Sequence, residues 1–290
     1  MPELPEVETI RQDLIKVLVG RKITGVEIIN KKAIKSSPAS FKKKLLNKKI
    51  KNIDRIGKLM MVDLEGKDFL LVHLKMTGQL IYRRKDKVIE GGHSLSVALT
   101  RDFPPKYTWV IWSFDDGAKL CFSDMRKFGY LKIVDDKDKA KIVAKYGPEP
   151  LTKNFTYPNF IKALGKRTAP IKSLLLNQAL IAGIGNIYAD EACFEARIFP
   201  GTPANKLTEV EKKDLYTAIN FILKKAIKHK GTTFKDYLSP HGKKGNFSDF
   251  LQVYKRDKQK CFRCEKGVIA NKKIGGRSSR YCPVCQKMLK

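Results

Sequence analysis

Acidic residues are scarce in this chain. Its 290 residues hold 29 Asp plus Glu against 59 Lys plus Arg, a formal net charge of +30. A surplus of that size is hard to explain by solubility alone and points to a polyanionic partner, either nucleic acid or an anionic membrane. Also missing is any apolar run near the ~20 residues of a spanning helix, which weakens the membrane reading. The opening, Met1-Pro2-Glu3-Leu4-Pro5-Glu6, has neither the basic nor the apolar segment of a secretory signal. A cytoplasmic protein is expected, associated with the nucleoid if the source is bacterial. No internal repeat or low-complexity tract is evident. Hydrophobic residues are not lacking: at 42% they exclude a wholly disordered chain. The length suggests two domains with a small appendage.

The patterning divides the chain. Residues 3–18 read as a helix entered through Pro5, with Val7, Ile10, Leu14 and Val17 on one face and Glu6 and Glu8 in the first turn. From 22 to about 134 the signal is of short strands, at 23–29, 60–64, 69–74, 108–114 and 119–122, separated by turn residues. A β-sandwich or barrel is expected over 1–134. Residues 135–141 are charged and Gly147-Pro148-Glu149-Pro150 breaks regular structure, so 135–150 reads as a linker. Helical patterns follow at 157–164, 171–180, 187–197 and 208–230, the last opened by a Thr208-x-x-Glu211 capping box. Residues 232–247 read as a surface loop. The helical region spans 151–250, and a strongly basic tail spans 251–290.

Six cysteines are present. Cys121 and Cys193 stand alone and read as buried small hydrophobes. Cys261-x2-Cys264 and Cys282-x2-Cys285 are separated by seventeen residues, the spacing of a four-cysteine zinc site. Two such knuckles on facing strands complete a tetrahedron and leave no open position, so one structural Zn2+ is favoured over redox or disulfide chemistry. It would staple a tail too short to bury a core.

The N-terminus is the most unusual feature. Removal of the initiator Met would leave Pro2 a secondary α-amine, with a pKa near ~8 against ~10.4 for lysine and lower still beside a helix N-terminus. Such an amine attacking an aldehyde-level carbon gives an iminium with no N–H to lose, an electron sink. Glu3 beside it is a candidate proton donor. Taken alone, these residues read more readily as an ordinary helix start.

The stretch Met1-Pro2-Glu3-Leu4-Pro5-Glu6-Val7-Glu8-Thr9 resembles the opening of the bacterial formamidopyrimidine-DNA glycosylases. Further matches run in order: Gly57-Lys58, His73-Leu74-x-Met76-x-Gly78, Asp124-x-Arg126-x-Phe128-Gly129, Gly147-Pro148-Glu149-Pro150, Ile184-Gly185-Asn186-Ile187-Tyr188-Ala189-Asp190-Glu191, Leu251-Gln252-Val253-Tyr254 and Gly276-Arg277. The resemblance spans almost the whole chain. It implies an α+β, multi-domain protein: an N-terminal β-sandwich with a helix, then a helix-two-turn-helix domain ending in a four-cysteine zinc β-hairpin. It also implies excision of 8-oxoguanine and formamidopyrimidines from double-stranded DNA, followed by β,δ-elimination.

Roles come with the resemblance. Pro2 is implied as the Schiff-base nucleophile, Glu3 as the general acid on the sugar ring oxygen and Glu6 as its hydrogen-bonding support. Lys58 matches a lysine assigned to proton transfer in β-elimination. Arg277 matches an arginine assigned to δ-elimination, although a pKa above ~12 suits phosphate clamping better than proton donation. Met76, Arg126 and Phe128 match the trio that fills the hole left by an extruded base. His73, Asn186, the Ile187 amide and Tyr254 are implied phosphate contacts.

Three departures bear on DNA contact. Tyr107 occupies the position of a DNA-contacting histidine. Thr168 stands where the family has a lysine, with Lys166 and Arg167 adjacent to carry that charge. The loop ending Gly242-Lys243-Lys244-Gly245-Asn246-Phe247 departs from the family segment that covers the flipped base, a difference that bears on lesion preference. Leu4 and Val7 resemble this branch more than endonuclease VIII, which acts on oxidised pyrimidines and is the nearest alternative. A non-catalytic DNA-binding protein of this fold is another, and Pro2, Glu3 and Lys58 together argue against it. A monomer is expected.

Overall fold

The computed structural model describes residues 2–85, 87–92, 103–232 and 247–288. They fall into two compact units, one of residues up to 144 together with 229–232, the other of 145–228 together with 247–288. The chain therefore returns to its first unit after leaving it, whereas the sequence reading kept 151–250 as one stretch.

In the first unit, helix α1 (Leu4–Leu18) is followed by strands β1 (Ile23–Ile28), β2 (Ile50–Ile56), β3 (Leu59–Leu64), β4 (Asp68–His73), β5 (Gly78–Arg84), β6 (Lys87–Gly92), β7 (Thr108–Phe114), β8 (Lys119–Asp124) and β9 (Tyr130–Asp135). Two further helices, α2 (Pro38–Leu45) and α3 (Asp136–Val143), flank them. The strands form two antiparallel sheets, ordered β1-β7-β8-β5-β6 and β2-β3-β4-β9. Their inner faces share one core, in which Tyr82, Trp112 and Phe122 meet Ile53, Val62 and Val72, with Leu14 and Leu18 of α1. Helix α1 packs on β2 and β6, one strand from each sheet. Its approach to β6 needs Gly91, where a Cβ would lie 2.5 Å from the Ile10 side chain.

Strands β2, β5, β6 and β9 and two helices were not among the expected elements. Helix α2 is capped by Ser37, whose Oγ accepts from the Ser40 amide, and it buries Phe41 and Leu45. A fully buried Phe contributes roughly 1.5–3 kcal/mol, enough to anchor two helical turns. Helix α3 occupies much of the expected linker. It buries no residue, but Asp135 caps it through the Asp138 amide and Lys139 lies 3.7 Å over the Phe69 ring.

The second unit contains α4 (Tyr157–Leu164), α5 (Ile171–Leu176), α6 (Asn186–Glu195), α7 (Glu209–Lys228) and a hairpin of β10 (Ala270–Ile274) and β11 (Arg277–Tyr281). Residues 188–194 of α6 are all buried, because α5, α7 and β11 surround it. Helix α5 stops at Leu176, short of the predicted 180. There Asn177 makes a turn in which its Oδ1 accepts from the Ala179 amide. The predicted capping box forms at α7: Glu211 accepts from the Thr208 amide and donates its own amide to Thr208 Oγ1. The hairpin turns through Gly275 and Gly276 at φ of 53° and 77°, a geometry that favours glycine at both positions. No helix among the described residues is long and apolar enough to cross a membrane. Most of the predicted 232–247 loop, from 233 to 246, lies outside the described residues.

Candidate functional site

The start of α1 is enclosed. Pro2, Glu3 and Glu6 are all buried, and Glu3 and Glu6 form a reciprocal capping box. Glu6 Oε2 accepts from the Glu3 amide at 2.9 Å. Its other oxygen accepts from the amide and hydroxyl of Thr232 at 2.8 and 3.2 Å. The returning strap passes so close that Gly231, at φ 76°, has no room for a side chain; a Cβ there would lie 2.5 Å from Glu6 Oε1. One carboxylate thus fixes both the helix start and the strap. The sequence pointed to Glu6 as a support, but its partner 226 residues away was beyond reach.

Glu8 supplies a second tie. Its carboxylate accepts from Arg55 Nε at 2.6 Å and from Arg11 Nη2 at 2.8 Å, while Arg11 Nη1 donates to the Ile53 carbonyl. Burial alone would raise the Glu8 carboxyl, yet the Arg11 hydrogen bond and the Arg55 charge hold it below the ordinary carboxylate value. Arg55 also reaches the Gly57 carbonyl, at 3.5 Å. Gly57 and Lys58 form the turn between β2 and β3, and Lys58 is buried. The Glu8–Arg55 pair therefore links the first turns of α1 to the turn that carries Lys58. The sequence reading took Glu8 for a helix-dipole partner and gave Arg55 no role.

At one end of the sandwich the structure assembles the proposed trio. Met76 is 38% exposed and Phe128 54%, unusual for large apolar side chains. Arg126 lies 5.1 Å over the Phe128 ring and its Nη1 stands 3.5 Å from Met76 Sδ. The support is Asp124, a buried carboxylate that receives the Thr77 hydroxyl, the Arg126 amide at 3.2 Å and the Gly129 amide at 2.6 Å. Asp124 was visible in the sequence only as part of a motif. His73 pairs with Tyr130 across β4 and β9. Its Nδ1 accepts from the Lys75 amide at 3.0 Å, and its pKa is pushed down to about 3 by burial, then by Lys75 and Lys58. A neutral imidazole with Nδ1 so occupied carries its proton on Nε2, a donor suited to a phosphate oxygen. Tyr107 is exposed at φ 69°, with Lys106 Nζ 5.5 Å from its ring centroid.

In the second unit, α6 begins at Asn186 after Gly185, which supplies no side-chain cap, so the helix start presents backbone N–H groups. Asn186 Oδ1 is buried and has no hydrogen-bond partner among the described residues. The loop leading to it is stapled by Gln178, which accepts from the Gly183 amide and donates to the Leu176 and Ile184 carbonyls. The Gly147-Pro148 segment, read as a boundary, lies across that loop: the Gly147 amide donates to Gln178 O and Pro148 O accepts from Ala182. Glu191 receives the amides of Gln252, Val253 and Tyr254, which anchors Tyr254. Lys166 and Arg167 are both exposed, and Arg167 Nη1 donates to the Ala163 and Leu164 carbonyls at the end of α4. Arg277 is exposed at the first position of β11. Lys172 and Asp190 form a wholly buried ion pair on α5 and α6 that sequence reasoning did not single out.

The sulfurs of Cys261, Cys264, Cys282 and Cys285 lie within 4.8 Å of one another, with contacts of 3.9 Å for Cys261–Cys285 and 3.7 Å for Cys264–Cys282. Zn–S bonds of ~2.3 Å in a tetrahedron place sulfurs about 3.8 Å apart, so the cluster fits that ion, while a disulfide is far shorter. The Gly267 amide donates to Cys264 Sγ at 3.3 Å and, as the largest cause, holds that thiol down to about 6, which favours the thiolate a metal needs. Cys121 and Cys193 are buried, as expected.

Comparison with known proteins accords with these arrangements. Residues 1–131 match the formamidopyrimidine-DNA glycosylase N-terminal domain, and residues 146–237 match the formamidopyrimidine-DNA glycosylase H2TH domain. The two matched regions define a DNA glycosylase. The formamidopyrimidine-DNA glycosylase of Pelotomaculum thermopropionicum is 45% identical, covering 99% of this chain and 100% of the relative. Wild-type Lactococcus lactis Fpg, solved with DNA containing N7-benzyl-Fapy-dG, superimposes with a TM-score of 0.85 at 34% identity, covering 99% of this chain and 100% of that one. The same enzyme with DNA containing an oxidised pyrimidine gives 0.84 at 35% identity with the same coverage. The chain belongs to the formamidopyrimidine-DNA glycosylase family, whose members are glycosylase/AP lyases.

Proposed function

We propose that this protein excises 8-oxoguanine and formamidopyrimidines from double-stranded DNA as a monomer, and then cleaves the abasic site by β,δ-elimination. The observation that carries the reading is the buried Pro2-Glu3 start of α1, held by Glu6. With Met1 removed, the Pro2 nitrogen lone pair attacks C1′, the base departs with the glycosidic electron pair, and the N–H proton of the attacking amine passes to the departing base. Glu3 delivers its proton to the sugar ring oxygen, which opens the ring and leaves a Pro2 iminium. The iminium draws electrons and acidifies the neighbouring C–H, so loss of that proton expels the phosphate β to it. Lys58 moves protons in that step. Arg277 steadies the phosphate that leaves in the second elimination.

The other residues grip and fill. His73, Asn186, the Ile187 amide, Tyr254 and Lys166 contact phosphates, and Met76, Arg126 and Phe128 occupy the gap left by the extruded base. One zinc ion held by the four thiolates supplies fold rather than chemistry, since four ligands leave no site for water. The oxidised-pyrimidine complex of the Lactococcus lactis enzyme favours a second reading, in which this site also takes oxidised pyrimidines.

Borohydride trapping tests the proposal. On an 8-oxoguanine duplex it should give a covalent protein–DNA adduct whose modified peptide begins at Pro2, and a duplex with an oxidised pyrimidine should trap more slowly. An adduct at Lys58, or full trapping by protein that keeps Met1, would sink the nucleophile assignment.

A further inference from the structure

We infer that the buried Lys172–Asp190 ion pair is a positioning device for Arg277, setting the register of β11 so that the arginine is held at the hairpin turn. The inference rests on the reading that Arg277 meets the DNA backbone.

Both side chains are 0% exposed and their charged atoms stand 2.7 Å apart. Lys172 Nζ donates to the Ser278 carbonyl and to Ser279 Oγ, each at 2.8 Å, and stands in ion contact with Asp190 Oδ1. The other Asp190 oxygen accepts from the Arg280 amide at 3.1 Å. Three consecutive residues of β11 are thus gripped by one pair of side chains on two helices. The grip reaches Arg277 itself, because the Ser279 hydroxyl that accepts from Lys172 donates onward to the Arg277 carbonyl at 3.3 Å. The turn before it is pinned as well: Gly275 lies against the Ser173 side chain, next to Lys172, with no room for a Cβ.

Stability alone does not explain such a pair. Burying two ions costs several kcal/mol each, and well-packed apolar residues in their place are often as stable or more so. What an apolar pair cannot do is choose one register. A β-strand slipped by one residue turns every side chain to the opposite face, and that would carry Arg277 off its present face. Directed hydrogen bonds to 278, 279 and 280 forbid the slip.

The test uses the full-length protein with its zinc. In Lys172→Met/Asp190→Asn neither partner is left as an unpaired buried charge, so the fold and one zinc per chain should be kept. Amide hydrogen exchange across 277–281 should quicken by about tenfold, as local opening becomes easier. The ratio of δ- to β-elimination product should fall to that of Arg277→Ala, by about 10²-fold for a displacement near 1 Å. Adding Arg277→Ala to the double variant should then change nothing more. Unchanged exchange over 277–281 would overturn the positioning role, whatever the DNA chemistry does. Faster exchange, with Arg277→Ala itself silent in the product ratio, would keep the positioning role and reject the DNA role of Arg277. Should the double variant fail to fold, Ser279→Ala removes only the relay. It should quicken exchange at 277 and lower the product ratio without changing zinc content; no change in either would likewise overturn the inference.

Discussion

Glu3 and Glu6 are one residue type in one helical turn, and the fold separates their work. Glu6 accepts hydrogen bonds from the Glu3 amide and Thr232, which suits the supporting role proposed for it. Glu3→Gln should keep DNA binding while base release falls by about 10²–10⁴-fold, the worth of a general acid. Single-turnover excision beside a binding titration measures both, and a loss under about tenfold would count against the role. His73 offers a pH test. Unfolded, it takes a proton near 6.5; folded, not until about 3. Between those values the unfolded chain binds more protons, so stability falls as pH drops through that window, by up to about 1.4 kcal/mol per unit. His73→Asn should flatten this part of the stability profile in urea titrations at pH 7.5 and 5. The four-cysteine cluster was legible because it depends on residue type and spacing, whereas the roles proposed for Pro2 and Glu3 came with the family resemblance. The roles of Asp124, Gln178 and Glu191 were not legible, because each receives or bridges backbone groups that no side-chain pattern reveals.

At the scale of elements, legibility followed burial pattern. Helix α1 was readable because its apolar residues repeat at the helical period, and strand β7 because it is a short continuous run of aromatic and β-branched residues followed by a turn signal. Strand β2 was missed: a bulge between Ile50 and Asn52 breaks its alternation, and only Ile50 and Ile53 are buried. Helix α3 has no buried face to read. The loop between β8 and β9, which presents Arg126 and Phe128, hangs on Asp124. Asp124→Asn keeps the volume but aims an N–H2 group at one of the loop amides. Chemical unfolding should show a loss of about 1–3 kcal/mol, the cost of a buried group left unsatisfied. Affinity for lesion DNA should fall more than affinity for undamaged duplex, because the side chains proposed to fill the gap lose their support. Equal losses on both duplexes would mean that the loop only grips backbone.

For the whole molecule, the division into units predicts how damage spreads. The tail beyond 251 buries only small clusters, Phe194 with Val253, Ile269 and two of the cysteines, and Phe199 with Ile274 and Tyr281. So little core needs a metal staple. Cys264→Ser should lose zinc, disorder the hairpin and weaken DNA binding, while the sandwich unit, with its own core, keeps its unfolding transition. Metal content, thermal unfolding and DNA affinity measure the three. A variant without zinc that still bound and cleaved lesion DNA normally would show that the hairpin needs no staple.

The bond from Thr232 to Glu6 also has a meaning in time. A ribosome makes Glu6 among its first residues and Thr232 only after α7 is complete. Until then one carboxylate oxygen at the head of α1 lacks its intended donors, and the strap that closes over it does not yet exist. The sandwich can collapse as it emerges, but the surroundings of its N-terminal amine are finished among the last parts of the chain. A nascent chain therefore carries its N-terminal end in unfinished form until α4 to α7 of the second unit have been made.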